Sequence, residues 1–103
     1  MTVAAKKKVE TTKSKQRNVA VEVPLPDGCM SMYVGRIMSE DESHIVLVDA
    51  AWIADTGRRS EFFAGRFDDR CEIEPLLDGQ RVRLPARGAI ITDWPHPLLR
   101  SVR

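Results

Sequence analysis

The 103-residue chain has few of the residues that build metal centres, disulfide frameworks and membrane spans. Its only cysteines are Cys29 and Cys71 and its only histidines are His44 and His96, and none of them lies at a Cys-x-x-Cys or similar zinc-ligand spacing. We therefore expect no metal ion, no other cofactor and two reduced thiols. No apolar run approaches the roughly 20 residues of a membrane-spanning helix, so we expect no membrane partner.

The chain also lacks the sequence contexts that surround catalytic nucleophiles. No Gly-x-Ser-x-Gly elbow and no P-loop occurs. Glu40, Asp41 and Glu42 are adjacent, so their carboxylates do not all face one point, and we interpret them as a solvated turn. The sequence therefore predicts a protein that is not an enzyme.

Charge divides the chain into two parts. Residues 1–17 carry a net charge of +5 and residues 18–103 carry −4. The first part lacks apolar periodicity, so we predict a disordered basic arm over 1–17 and one small domain over 18–103. The arm is a candidate nucleic-acid contact, since phosphates require clustered basic side chains. Its basic residues are Lys6, Lys7, Lys8, Lys13, Lys15 and Arg17.

The domain reads as a series of short strands. Val19–Val23 alternates as a half-buried strand, Asp27-Gly28 forms a turn, and Met30–Met38 continues as a strand in which Gly35 marks a bulge or bend. Ile45–Val48 reads as a buried strand that Asp49 ends, and Ala50–Ala54 either extends it or crosses irregularly. Later candidates are a short helix with Ser60 as its N-cap and strands at Cys71–Glu74, Arg81–Leu84 and Ala89–Thr92. We predict a mostly β fold, either a small SH3-like or Sm-like barrel or a curved antiparallel sheet, with one short helix.

A Gly-containing basic loop, Thr56–Ser60, precedes the predicted helix. Backbone N–H groups at a helix start favour anions, and guanidinium groups bind phosphate in bidentate fashion. If the loop binds a small nucleotide-like anion, Arg58 and Arg59 would hold the phosphate, and Trp52 or Phe63 would stack on the base. The alternative interpretation is a surface loop without a ligand.

A second candidate surface is the proline-stiffened segment WPHPLL over 94–99. Stiff apolar segments lose little entropy on docking, and tryptophan is frequent at interface hot spots. Trp94, His96 and Leu98 are therefore candidate interface residues for a homo-oligomer. The alternative is that this segment packs on its own domain.

The order of these elements resembles a family of small phage- and prophage-encoded proteins of unknown function. The shared elements are Gly35-Arg36-Ile37, an acidic turn, Ile45 to Ala50, Trp52, the short helical segment Ser60–Gly65 and the late pair of strands from Val82 to Thr92. The resemblance covers about 65 residues and carries no catalytic signature.

A weaker resemblance is to the Sm-like barrels, which form rings and often bind RNA. Gly28, Gly35, Asp41, Leu47 and Asp49 occur in the order of their first motif, and Arg87-Gly88-Ala89-Ile90-Ile91 resembles the second. Ser43-His44 stands where an RNA-contacting asparagine is expected.

These observations favour a homo-oligomeric, phage-type binding protein in the host cytoplasm. It would hold a host protein or a small anionic ligand, with interference in host defence as one form of that role. The alternatives are an Sm-like nucleic-acid binder that uses its basic arm and a structural or assembly subunit of a virion.

Overall fold

The computed structural model describes residues 17–103, which form six strands and one helix. In chain order the elements are β1 (Asn18–Pro24), β2 (Met30–Glu40), β3 (His44–Asp55), α1 (Arg59–Phe63), β4 (Glu72–Pro75), β5 (Arg81–Pro85) and β6 (Ile90–Asp93). The predicted mostly β class with one short helix is confirmed. The predicted arm lies outside the described residues except for Arg17, whose carbonyl accepts the N–H of Ile37.

All six strands belong to one antiparallel sheet in the order β4-β3-β2-β1-β6, and β5 pairs with β3 as well. The long strand β3 pairs with β5 through His44–Val48 and with β4 through Ala51–Asp55. Consequently β5 and β6 lie at opposite ends of a path of paired strands, although they are consecutive in the chain. Leu84 of β5 is in the same apolar cluster that Ile91 of β6 packs against, so the sheet curves around that cluster without closing.

The pairing between β2 and β3 is irregular at Asp49. This residue has φ 52°, and the pairing register between β2 and β3 shifts there, so that Asp49 and Ala50 together lie opposite Gly35. A Cβ atom on Gly35 would lie 2.9 Å from the Cβ of Ala50. The irregularity predicted at Gly35, a bulge or a bend, is therefore present as a bulge of β3 opposite it, and glycine is required because the strands approach closely there. The prediction that the strand ends at Asp49 is wrong, because Asp49 lies inside β3, which continues to Asp55.

Apolar residues cover both faces of the sheet. One face carries the Val19, Val21 and Val23 side of β1, and its cluster includes Ile37, Ile45, Leu47 and Leu84. The other face carries Ala20, Val34, Ala51 and Ile53, and it is covered by α1 and the C-terminal segment through Phe62, Trp94 and Leu99. Two-sided burial explains why β1 and β3 read as nearly continuous apolar runs.

The helix α1 begins earlier than predicted. Its N-cap is Arg58, which makes no side-chain capping hydrogen bond, and Ser60 lies inside the helix. The prediction of Ser60 as N-cap is wrong because burial of Phe62 against the sheet, rather than the capping preference of serine, fixes the position of this single turn.

Candidate functional site

Trp52 is the one candidate aromatic residue whose side chain is exposed in the fold. Its neighbours in β3, Ala51 and Ile53, belong to the cluster beneath α1, so strand alternation directs Trp52 to the opposite face. There it lies between Tyr33 of β2 and Glu74 of β4 in the pairing register. Its side chain remains 41% exposed, which makes it available for contact.

Trp52 lines an open groove beside β4, which we call the Trp52 groove. Its lining includes Trp52, Ala54, Asp69, Glu72, Glu74 and Arg103. Glu72 and Glu74 flank Ile73, which is buried, so their carboxylates stand on the exposed face of β4. The groove therefore combines one large aromatic surface with three carboxylates.

These carboxylates have no cationic partner within the described part of the chain. The ion pairs among residues 17–103 involve Arg17, Arg36, Arg59, Arg66 and Arg100, and none of them reaches Asp69, Glu72 or Glu74. Arg103 lines the groove, but its guanidinium donates to the carbonyl oxygens of Phe67 and Asp68. The groove therefore carries three carboxylates and one guanidinium, an excess of negative charge.

The predicted anion loop uses its backbone donors internally. The N–H of Gly57 donates to Oδ1 of Asp55, and the N–H of Arg58 donates to Oδ2 of Asp68, both at 2.8 Å. The hydrogen bond from Arg58 is the main cause that lowers the pKa of Asp68, and a second from Arg70 acts in the same direction. The two N–H groups that could have bound a phosphate already bind carboxylates.

Arg59 is also engaged within the fold. Its Nη2 lies 2.6 Å from Oε1 of Glu22, which is almost fully buried on β1. This hydrogen bond raises the pKa of Arg59. The guanidinium lies over the ring of Phe63, 4.9 Å from its centroid. Arg59 therefore attaches α1 to the sheet.

The four candidate ligand residues do not form one site. The structure brings Arg59 and Phe63 together, and it places Arg58 beside them at the exposed start of α1. Trp52 lies on the other face of the sheet, because Phe63 packs with the cluster that contains its two strand neighbours. A base stacked on Trp52 therefore has neither arginine beside it.

The candidate interface segment packs on its own domain. Trp94 is 2% exposed, packs at a tilt against Phe62, stacks on Phe67, and donates from Nε1 to the carbonyl of Pro97. His96 Nε2 lies 2.9 Å from the carbonyl oxygen of Phe63, so this nitrogen carries the proton. Leu98 is half-buried. Of the two alternatives for Trp94, the structure shows packing within the chain.

The lysines proposed to contact nucleic acid, Lys6 to Lys15, lie outside the described residues. Arg17, the last residue of that set, is described, and its Nε lies 3.7 Å from Oδ1 of Asp93. Among residues 17–103 no three His, Cys, Asp or Glu residues are grouped so that they could hold a metal ion. Cys29 is exposed in a turn and Cys71 is buried, and both are free.

Sequence reasoning identified Trp52 but missed its acidic neighbours. The alternation Cys71-Glu72-Ile73-Glu74 was the signal, because it places two carboxylates on the face opposite two buried apolar residues. The pairing of β4 with the second half of β3 was needed to bring them beside Trp52.

No helix in the range 17–103 is both long and apolar enough to cross a membrane. Comparisons with protein-family models, with curated proteins and with solved structures find no match to this chain.

Proposed function

We propose that this chain is a non-enzymatic, phage- or prophage-type binding protein that holds a host protein through the Trp52 groove. The observation that carries the proposal is Trp52 itself, a large aromatic residue 41% exposed on a rigid central strand. Tryptophan at the centre of a contact surface contributes binding free energy out of proportion to its number.

The carboxylates around Trp52 give the proposed surface its specificity. Asp69, Glu72 and Glu74 line the same groove, so a partner segment with lysine or arginine beside an apolar residue complements it. Rim charges of this kind mainly raise the association rate and exclude acidic competitors.

A protein partner has more support than a small anionic ligand. The backbone N–H groups of Gly57 and Arg58 are bonded to carboxylates, and Arg59 is paired with Glu22. A phosphate at this loop would have to displace two hydrogen-bonded carboxylates and compete with their negative charge.

The phage-type assignment rests on the resemblance in the order of elements. Residues 17–103 contain the glycine-bearing strand β2, the acidic turn, β3 with Trp52, the short helix α1 and the late strands β5 and β6 in the order of that family. The proposed setting is the host cytoplasm, where the protein would interfere with a host process such as defence.

Self-association is part of the proposal, at a surface other than the one expected. Met30 is 43% exposed and lies opposite Pro24 in the register, and Ile90 is 53% exposed and lies opposite Glu22. Because Pro24 and Glu22 are two residues apart on β1, Met30 and Ile90 lie on the same face of the sheet, at the end formed by β2, β1 and β6. The outer edge of β6 pairs with no other described strand. A second copy covering this end would bury both side chains, and native mass measurement reports it.

The proposed function is tested by affinity capture with matched variants. Tagged wild-type protein, Trp52→Ala and Leu77→Ala are each incubated with bacterial lysate, and captured proteins are identified by mass spectrometry. Leu77 is 76% exposed on the connector before β5 and serves as the control. We expect a protein that is captured by the wild type and by Leu77→Ala but not by Trp52→Ala.

The captured protein is then purified and titrated calorimetrically. Loss of a hot-spot tryptophan costs about 2 kcal/mol or more, which weakens the dissociation constant by about 30-fold. Equal affinity of Trp52→Ala and wild type would refute the role of the groove.

A further inference from the structure

All five lysines of the chain lie between residues 6 and 15, and every basic residue from 17 onward other than histidine is an arginine. The same N-terminal stretch contains one acidic residue, Glu10. The domain over 18–103 has an excess of four negative charges. The chain therefore carries three consecutive lysines, Lys6-Lys7-Lys8, and a domain of opposite net charge.

The Trp52 groove provides what an ammonium group binds. A lysine ammonium is attracted to the face of an indole ring, and carboxylates beside the ring add direct Coulomb attraction. Glu72 and Glu74 stand on the strand next to Trp52 and have no cationic partner among residues 17–103. We propose that Lys6–Lys8 of the same chain dock in the Trp52 groove.

The N-terminal segment is long enough to reach this groove. Val21 on β1, Tyr33 on β2 and Trp52 on β3 lie side by side in the register. With strands about 4.8 Å apart and about 3.3 Å per residue, Trp52 lies roughly 20 Å or less from Arg17. The nine residues from Lys8 to Arg17 span up to about 30 Å. A tether of this length produces effective concentrations in the millimolar range, which are sufficient for weak ionic contacts.

The other acidic feature near the start of β1 is a poorer receptor. Glu40, Asp41 and Glu42 are exposed where β2 ends and the chain turns, and none of the residues 40–43 is aromatic. The carboxylate of Asp41 accepts the N–H groups of Ser43 and His44, both at 2.8 Å. Those hydrogen bonds already lower the pKa of Asp41 and occupy one of its oxygens. Glu40 and Glu42 therefore serve as an internal control for contacts that require negative charge alone.

Docking of Lys6–Lys8 would regulate the access of a partner protein to the Trp52 groove. While Lys6–Lys8 occupy the Trp52 groove, a basic segment of another protein has to displace them, and the tether favours the internal ligand. The inference does not rest on the proposed partner, because the docking takes place in the isolated chain. Its failure leaves partner capture through Trp52 untouched, and failure of partner capture leaves the docking intact.

Zero-length crosslinking of the full-length protein tests the inference directly. A carbodiimide joins a carboxylate to an amine only when the two are in contact, and all five lysines of this chain lie between residues 6 and 15, three of them in Lys6–Lys8. We expect crosslinked peptides between Lys6–Lys8 and Glu72 or Glu74, identified by mass spectrometry. Their yield should fall about fivefold or more in 0.5 M NaCl, where the screening length is about 4 Å.

Two variants separate docking from charge proximity. Glu72→Gln plus Glu74→Gln removes the reactive groups and should abolish these crosslinks without increasing those to Glu40 and Glu42. Trp52→Ala leaves every carboxylate in place and should reduce the yield at Glu72 and Glu74 about threefold or more, since the cation–π attraction to the indole ring is lost. Circular dichroism confirms that both variants are folded.

Several results would overturn the inference. One is crosslinking to Glu40 and Glu42 at a yield equal to that at Glu72 and Glu74. Another is an unchanged yield in Trp52→Ala. In an equal mixture of ¹⁴N- and ¹⁵N-labelled protein, crosslinks that join light and heavy peptides would show docking between copies and would contradict docking within the chain.

Discussion

Glu22 of β1 and Arg59 of α1 form an ion pair of 2.6 Å between Oε1 and Nη2. Among residues 17–103, Glu22 is the only buried polar residue, and it is 7% exposed. Its carboxylate lies on the face that α1 covers, in the same β1 alternation as Ala20. The pair therefore fixes α1, and with it Phe62, against the sheet.

Arg59→Ala should lower the free energy of unfolding because it leaves the buried carboxylate of Glu22 without a partner. We expect a loss of about 1–2 kcal/mol, below the value for fully buried pairs, since the Arg59 side chain is 58% exposed and solvent screens it. Urea unfolding followed by circular dichroism measures it. Arg58→Ala is the control, because its side chain makes no ion pair in the described part of the chain, and equal losses in the two variants would be inconsistent with this account.

Gly35→Ala should destabilise the sheet at the bulge of β3 that lies opposite Gly35. The new Cβ would lie 2.9 Å from the Cβ and 3.1 Å from the Cα of Ala50, so backbone has to move. We expect a loss of about 1–3 kcal/mol, as for other overpacked sites. Thermal unfolding checks it.

The control for Gly35→Ala is Gly28→Ala. Gly28 has φ +90° in an exposed turn with nothing within 4 Å of a new Cβ, so only the conformational strain of about 1 kcal/mol applies. Combining Gly35→Ala with Ala50→Gly should recover part of the loss. If the double variant is no more stable than Gly35→Ala, the steric explanation is wrong.

Asp68→Asn should reduce stability at neutral pH and change its dependence on acid. Backbone hydrogen bonds from Arg58 and Arg70 lower the pKa of Asp68 in the folded state. The carboxylate therefore contributes stability above its ordinary pKa, and this contribution is lost as the pH falls through the lower folded pKa. The difference between wild type and Asp68→Asn should be largest near pH 7 and shrink below about pH 4.

Urea unfolding at pH 7, 5 and 3 measures this dependence. Asp69→Asn is the matched control, since the neighbouring carboxylate accepts none of the hydrogen bonds described for Asp68. A difference for Asp68→Asn that is constant from pH 7 to pH 3 would rule out the linkage to this carboxylate.

The two tryptophans should respond oppositely to truncation. Trp94→Ala removes a buried ring that contacts Phe62, Phe67 and His96, so we expect a loss of about 3–5 kcal/mol or failure to fold. Trp52→Ala removes an exposed ring and should cost less than about 1 kcal/mol. Denaturant unfolding of both variants checks this, and a large loss for Trp52→Ala would mean that Trp52 is a structural residue.

The sequence predicted the strands well because their apolar alternation and turn residues are local signals. Val19–Val23 and Asp27-Gly28 show this, and so does Gly35 of β2, which lies opposite the bulge of β3. The candidate site was harder to predict, because its residues come together only through the pairing of strands. Nothing local indicates that β3 changes its neighbour from β5 to β4 at Asp49, and that change decides which residues surround Trp52. The hydrogen bond from the N–H of Arg58 to the carboxylate of Asp68 was equally hidden, since the two residues lie ten positions apart.

The contacts of Arg100 are another feature that the sequence did not indicate. From them we predict that the planar geometry of the guanidinium matters at this position. Nη1 donates to the carbonyl of Ala50 at 2.8 Å, and Nη2 donates to the carbonyl of Leu76 and to Oδ1 of Asp78, both at 2.7 Å. One planar group thus joins the C-terminal segment to β3 and to the connector after β4.

Arg100→Lys keeps the charge but loses this fork, because a lysine ammonium does not reach two carbonyls in fixed directions. We expect a loss of about 1–3 kcal/mol in urea unfolding, since the carbonyl of Leu76 loses the donor described for it and the carbonyl of Ala50 keeps only the N–H of Leu76. Asp78→Asn is the control for charge alone, because Asp78 is 95% exposed and its ion pair should contribute little. Similar small effects for both variants would show that Arg100 acts as a surface charge rather than as a carbonyl donor.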